Sequence, residues 1–188
     1  MSEIDFSPKF IKAVNRMINH NSPGEVGLLM RWDNDDSMLW TIWSERFSDG
    51  SGLAGYNRRQ VQRLEIKKGN LVACKPTVLG GHAEEIMIRS WDGYRKEVNK
   101  TDDPRIVDIF LTHSPCLDSS NIFSDEFGTW PKGCAPKLSK FINGIGKTIE
   151  WRIAFWDYYG SFSSRSNAIA AVEIIGKISN ATIYKIFK

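Results

Sequence analysis

The chain has 188 residues, of which 41% are hydrophobic and 25% charged, with a formal net charge of +3. That length and composition describe one globular domain and exclude a disordered, fibrous or collagen-like chain. Only three cysteines are present, Cys74, Cys116 and Cys134, too few and odd in number for a disulfide framework.

A helix is expected over Pro8 to Asn19. Ser7 stands at its N-cap, Pro8 in its first turn, and Phe10, Ile11, Val14, Met17 and Ile18 recur on one face. Two apolar runs follow, Val26 to Trp32 and Met38 to Trp43, separated by the turn-forming Asp33-Asn34-Asp35-Asp36. They read as a hairpin, and their near-continuous apolar character predicts burial on both faces. Residues 46–81 read as a long connection with room for one short strand. From Arg46 to Lys75 this segment carries seven cationic residues, among them Arg58, Arg59, Arg63, Lys67 and Lys68, against Asp49 and Glu65.

A second helix is expected over His82 to Tyr94, with Ala83, Ile86, Met87, Trp91 and Tyr94 on its apolar stripe. Ile106 to Leu111 reads as a strand, and 117–133 as a polar loop bearing Asp118, Asp125 and Glu126. Cys134 to Ile142 reads as a helix, Ile149 to Trp156 as a strand, Asn167 to Ile178 as a helix and Thr182 to Phe187 as the last strand. Parallel strands need crossovers of a dozen or more residues, which these helices supply. The expected fold is α/β, a mixed five-stranded sheet in a three-layer α/β/α sandwich with helices on both faces. The whole of 1–188 reads as one domain.

Three groups carry chemistry: His82-Ala83-Glu84, Ser114-Pro115-Cys116, and Cys134. Imidazole and thiolate are the donors zinc prefers, and three protein ligands leave a fourth position open, the mark of a catalytic site. Zinc makes a bound water acidic near pH 7, and Glu84, two residues past His82, is placed to carry its proton. His82 and Cys134 each open a helix, whose free N–H groups favour a thiolate or an oxyanion. The order matches the His-x-Glu and Pro-Cys-x-x-Cys signature of zinc deaminases, except that seventeen residues separate Cys116 from Cys134. Long loops cost little in closure entropy, so 117–133 is read as an insertion between two adjacent ligands. Cys74 reads as a small buried hydrophobe.

Phe110 to Cys116, Cys134-Ala135 with Lys137 to Ile142, and Arg152 to Tyr158 together resemble the AID/APOBEC polynucleotide cytidine deaminases. The likeness runs from about Val26 to the C-terminus. It implies the cytidine-deaminase fold, zinc held by His82, Cys116 and Cys134, and Glu84 as proton shuttle. It implies that Trp156, Asp157 and Tyr158 line a nucleotide groove, while Ala83, His113 and Ser114 contact the base. Family members usually carry Trp where this chain has His113. The implied activity is deamination of cytosine to uracil in single-stranded nucleic acid, DNA ahead of RNA, with the target base out of any stack. The alternatives are a deaminase of free cytidine, nucleotides or RNA bases, and an inactive nucleic-acid-binding module of the same fold. The aromatic run at 156–159 and the basic cluster suit base stacking and phosphate contact. Scarce cysteine, an N-terminus without an apolar leader, and the lack of any apolar run near about 18 residues predict an intracellular protein of cytoplasm or nucleus with no membrane partner. The sequence carries no signal for an oligomeric state.

Overall fold

A computed structural model describes residues 2–20, 25–44, 82–98, 102–120, 123–125, 128–145, 147–160 and 162–186. The basic cluster between Arg58 and Lys68, Cys74, Glu126 and the expected short strand within 46–81 lie outside the described residues. The elements run α1 (Pro8–His20), β1 (Gly27–Trp32), β2 (Trp40–Trp43), α2 (Ala83–Glu97), β3 (Ile106–His113), β4 (Phe123–Asp125), β5 (Gly128–Trp130), α3 (Cys134–Gly144), β6 (Glu150–Asp157), α4 (Arg165–Gly176) and β7 (Ala181–Lys185). Five strands form one mixed sheet in the order β2-β1-β3-β6-β7. β1 is antiparallel to both β2 and β3, whereas β3, β6 and β7 are mutually parallel neighbours.

Strand pleating divides the core into two layers. Leu28, Met30, Val107, Ile109, Leu111, Trp151, Ile153 and Phe155 face α2, α3 and α4. Trp91 of α2 is the centre of this layer, with ring centroids 5.0 Å from Trp32, 5.2 Å from Phe141 and 5.4 Å from Trp151. On the other face Leu29, Phe110 and Ala154 meet Phe10, Val14 and Met17 of α1. The sandwich is therefore α/β/α, with one described helix on one face and three on the other. The Ser7 hydroxyl accepts the Phe10 N–H at 3.1 Å, so α1 starts where its sequence cap stands.

Two expectations change. β1 is buried along its whole length, but β2 alternates, with Thr41 exposed and Trp43 half-buried. β2 is an edge strand of the sheet, and an edge leaves part of its surface to solvent. Within 117–133, expected as a polar loop, β4 and β5 pair as an antiparallel hairpin and Trp130 is buried in the core. The Lys140 ammonium sits 4.5 Å from the Trp130 ring centroid, a cation–π contact.

The α1 face also holds charges inside apolar strands. Arg31, Asp108 and Arg152 stand side by side on β1, β3 and β6, in register, and all three are buried. The Arg31 guanidinium donates to Asp108 at 2.5 and 2.9 Å, and Arg152 donates to it at 2.6 and 2.9 Å. Arg31 also donates to the Asp36 carboxylate and the Asp5 carbonyl, each at 2.7 Å, and Arg152 donates to Asn34. One carboxylate thus holds two guanidinium groups, which in turn tie the N-terminal segment and the β1–β2 connection to the sheet. Replacing Asp108 by Ala leaves two buried cations with reduced compensation. We expect a loss of about 3–5 kcal/mol in unfolding free energy, read by urea denaturation; a loss within experimental error of zero would show the network to be dispensable.

Candidate metal centre

The segments that carry His82, Cys116 and Cys134 converge beyond the C-terminal end of β3. β3 carries the chain past His113 into Ser114-Pro115-Cys116. His82 is the N-cap residue of α2, in extended conformation at φ −78° and ψ 142°. Cys134 is the first residue of α3. The turn before it needs Gly133, which adopts φ +84°, a region that side chains avoid. A Cβ there would lie 1.7 Å from the Leu117 carbonyl oxygen, so the chain on either side of the cysteines is in contact at this point.

The donor atoms of His82, Cys116 and Cys134 all lie within 4.8 Å of one another, and the group could hold a metal ion. The Cys116 sulfur is 3.7 Å from His82 Nδ1. It also accepts the Cys134 N–H at 3.2 Å, and the Ala135 N–H donates to the Cys116 carbonyl at 3.0 Å. The first turn of α3 therefore presents its unpaired amides to Cys116.

These contacts set the protonation states. The hydrogen bond from Cys134 and the neighbouring imidazole, against the opposing effect of burial, bring the Cys116 thiol down to about 3. Burial would lower His82, but its contact with the Cys116 thiolate outweighs this and raises it to about 9. Burial, and then the charge of Cys116, raises Glu84 to about 7. Burial and the hydrogen bond to Cys116 hold the Cys134 thiol well above its usual range. Glu84 is buried, and its Oε2 has no hydrogen-bond partner. A buried carboxylate oxygen normally finds a donor. Beside two cysteines and a histidine, this one is suited to a donor that the protein itself does not provide, such as water.

The remaining predicted site residues divide. Ala83 is buried against the core at the start of α2. Ser114 is buried, donates its N–H to the Asp157 carbonyl at 2.7 Å and accepts the Tyr159 N–H on its hydroxyl at 3.0 Å. It thereby pins the segment after β6 to the end of β3. His113 is half-buried and in register with Asp157, with Nδ1 3.3 Å from the Thr112 hydroxyl. Burial lowers its pKa, so its ring is neutral at neutral pH. Asp157 is exposed and pairs with Lys185 at 3.3 Å and Arg165 at 3.8 Å. The Arg165 guanidinium lies 4.1 Å from the Tyr158 ring centroid, and that ring packs edge-on to Phe155.

Trp156 is not brought to this group. It belongs to β6, and the pleat turns its side chain to the α1 face, where it packs with the Leu29 and Phe110 layer. A strand residue between Phe155 and Asp157 cannot share the face of Phe155. Tyr159, further along the same run, has its ring centroid 6.2 Å from that of His82. The sequence reading also passed over Glu85 and Lys137, which form a fully buried ion pair at 2.6 Å. Their spacing was the available signal, since each follows a predicted ligand by three residues.

No protein-family model matches the chain, and a search of curated proteins finds no significant match.

Gly133→Ala is expected to destabilise the fold by more than about 2 kcal/mol, through both its backbone conformation and the Leu117 contact. Denaturant unfolding measures it, and wild-type stability in that variant would contradict the geometry. At pH 7 His82 and Cys134 hold protons while Cys116 holds none. A divalent ion bound by all three must therefore displace about two protons. Its affinity should fall about 100-fold for each unit of pH lost between pH 8 and pH 6; a tenfold slope in competition titrations would remove one ligand from the set.

Proposed function

We propose that this protein is a zinc-dependent deaminase of the AID/APOBEC type that converts cytosine to uracil in single-stranded nucleic acid, DNA ahead of RNA. One observation carries the reading: the buried Glu84 carboxylate, whose Oε2 has no hydrogen-bond partner, beside a convergent imidazole and two sulfurs. The donor set suits zinc in type and number. Zinc–sulfur bonds of about 2.3 Å and zinc–nitrogen bonds of about 2.0–2.1 Å meeting at a tetrahedral angle imply a sulfur–nitrogen separation of about 3.6 Å. The Cys116 sulfur and His82 Nδ1 are 3.7 Å apart.

Bound zinc would supply the Lewis acidity that makes water nucleophilic near neutral pH. Glu84 then does the proton work. A carboxyl group raised to about 7 can accept a proton from water and give it up again with similar ease. It passes that proton to N3 of the ring as the water oxygen adds to C4. It then takes the remaining proton of the added hydroxyl and delivers it to the amino group as the C4–N bond breaks, so that ammonia leaves and the C4 carbonyl of uracil forms. Ser114 and the segment it holds, with Tyr158 and Tyr159, supply the polar and aromatic rim for the base. Arg165 and Lys185 add positive charge at the same rim, where phosphate would be favoured.

The packing of Trp156 on the α1 face withdraws one stacking surface from the rim. That observation favours a second reading, a deaminase of free cytidine or a nucleotide. One experiment distinguishes the two: uracil formation measured on a single-stranded deoxyoligonucleotide, on the matching RNA and on free cytidine at equal concentration. Turnover of the oligonucleotide well above that of cytidine is expected. In the same assay Glu84→Ala should retain zinc and lose activity by about 100-fold or more. Loss of zinc in that variant would make Glu84 a ligand and overturn its assigned role.

A further inference from the structure

The three segments that carry the metal donors meet a second time. Glu85 follows His82 by three residues in the first turn of α2, Lys137 follows Cys134 by three in the first turn of α3, and Ser120 follows Cys116 by four. All three side chains are buried, Glu85 and Lys137 completely. The Lys137 ammonium lies 2.6 Å from Glu85 Oε1 and donates to the Ser120 hydroxyl at 2.6 Å. The other carboxylate oxygen of Glu85 accepts the His82 backbone N–H at 3.4 Å. One residue from each ligand-bearing segment therefore joins a single polar chain.

We propose that Glu85, Lys137 and Ser120 are positioning residues that set the separation of the three metal ligands, in place of the short link that joins the cysteines in the zinc-deaminase signature. The proposal rests on the metal reading of the preceding subsection. Two or so residues between cysteines restrict their separation covalently; the seventeen residues here restrict it far less. The two helices also have no covalent link near the site. A fully buried ion pair is a weak source of stability, because apolar side chains of similar volume usually serve as well or better. Its distinctive property is direction and distance. An ammonium seated between a carboxylate of α2 and a hydroxyl of the Cys116 segment fixes both spacings at once, which sliding apolar contacts do not. Outer partners of this kind typically change metal affinity by about 10- to 100-fold when removed.

The test uses the metal-free full chain and cobalt(II) as probe, read by thiolate charge-transfer and d–d absorbance, with circular dichroism melts of the same samples. Removing one charge alone strands the other, so the informative variant replaces both, Glu85→Met with Lys137→Met. We expect it to melt as a folded protein and to bind cobalt about 10- to 100-fold more weakly than wild type. Ser120→Ala should lose affinity to a smaller but measurable extent. A folded double variant with wild-type cobalt affinity overturns the proposal. If the double variant does not fold, Ser120→Ala decides: weakened cobalt binding sustains the proposal and unchanged binding overturns it. A wild-type chain that binds neither cobalt nor zinc overturns the metal reading itself, an outcome distinct from a wild-type chain that binds metal beside variants that bind it equally well.

Discussion

A single anionic sulfur sets the terms at the end of the central sheet. Cys116 accepts an amide from the first turn of α3 and faces the His82 imidazole, and its charge acts on His82, Cys134 and Glu84. It keeps the imidazole protonated, and it adds to the larger effect of burial in keeping the Cys134 thiol protonated and pushing Glu84 toward neutrality. Without a cation, these groups divide one negative and one positive charge among themselves in a buried site. Such a site could hold a metal ion, and a divalent one would replace two protons without adding net buried charge.

The rest of the architecture delivers those few atoms. A parallel strand followed by a helix presents its connection at the carboxyl end of the sheet, where ligands of open α/β folds bind. Here β3 ends in the Ser114-Pro115-Cys116 turn, and the N-termini of α2 and α3 point at the same place. The aromatic layer around Trp91 holds α2 and α3 against the sheet, and the Arg31–Asp108–Arg152 row locks the opposite face. Both are buried devices with little latitude for displacement, since a close-packed interior transmits small shifts.

The seventeen residues between the two cysteines depart from the short spacing of the zinc-deaminase signature. They fold back as the β4–β5 hairpin, bury Trp130, and return to touch Cys116's own segment at Leu117 through Gly133. A polar composition with scattered acidic residues had suggested a solvated loop. One large aromatic near its end was enough to anchor it, because a single buried Trp side chain removes much apolar surface from water. Local composition undercounts such an anchor.

Unlike the β4–β5 hairpin, the helices, the five strands of the main sheet and their mixed parallel pairing were legible from the chain, because hydrophobic periods of 3.6 and 2 and capping residues such as Ser7 are local properties. So were the donors: His82, Glu84, Cys116 and Cys134 announce themselves by chemical type and spacing. Their convergence was inferred from a signature, and only the folded chain brings the donor atoms within 4.8 Å of one another. Register and facing were decided by tertiary structure alone. The pleat of β6 sends Trp156 to the α1 layer and leaves Tyr159 beside His82. Cross-strand registry makes a row of Arg31, Asp108 and Arg152, three charges far apart in sequence. The Glu85–Lys137 pair likewise exists only once two helices dock end to site. Periodicity tells which residues share a face of their own element; which partner that face meets depends on packing between elements, and that information is distributed over the whole chain.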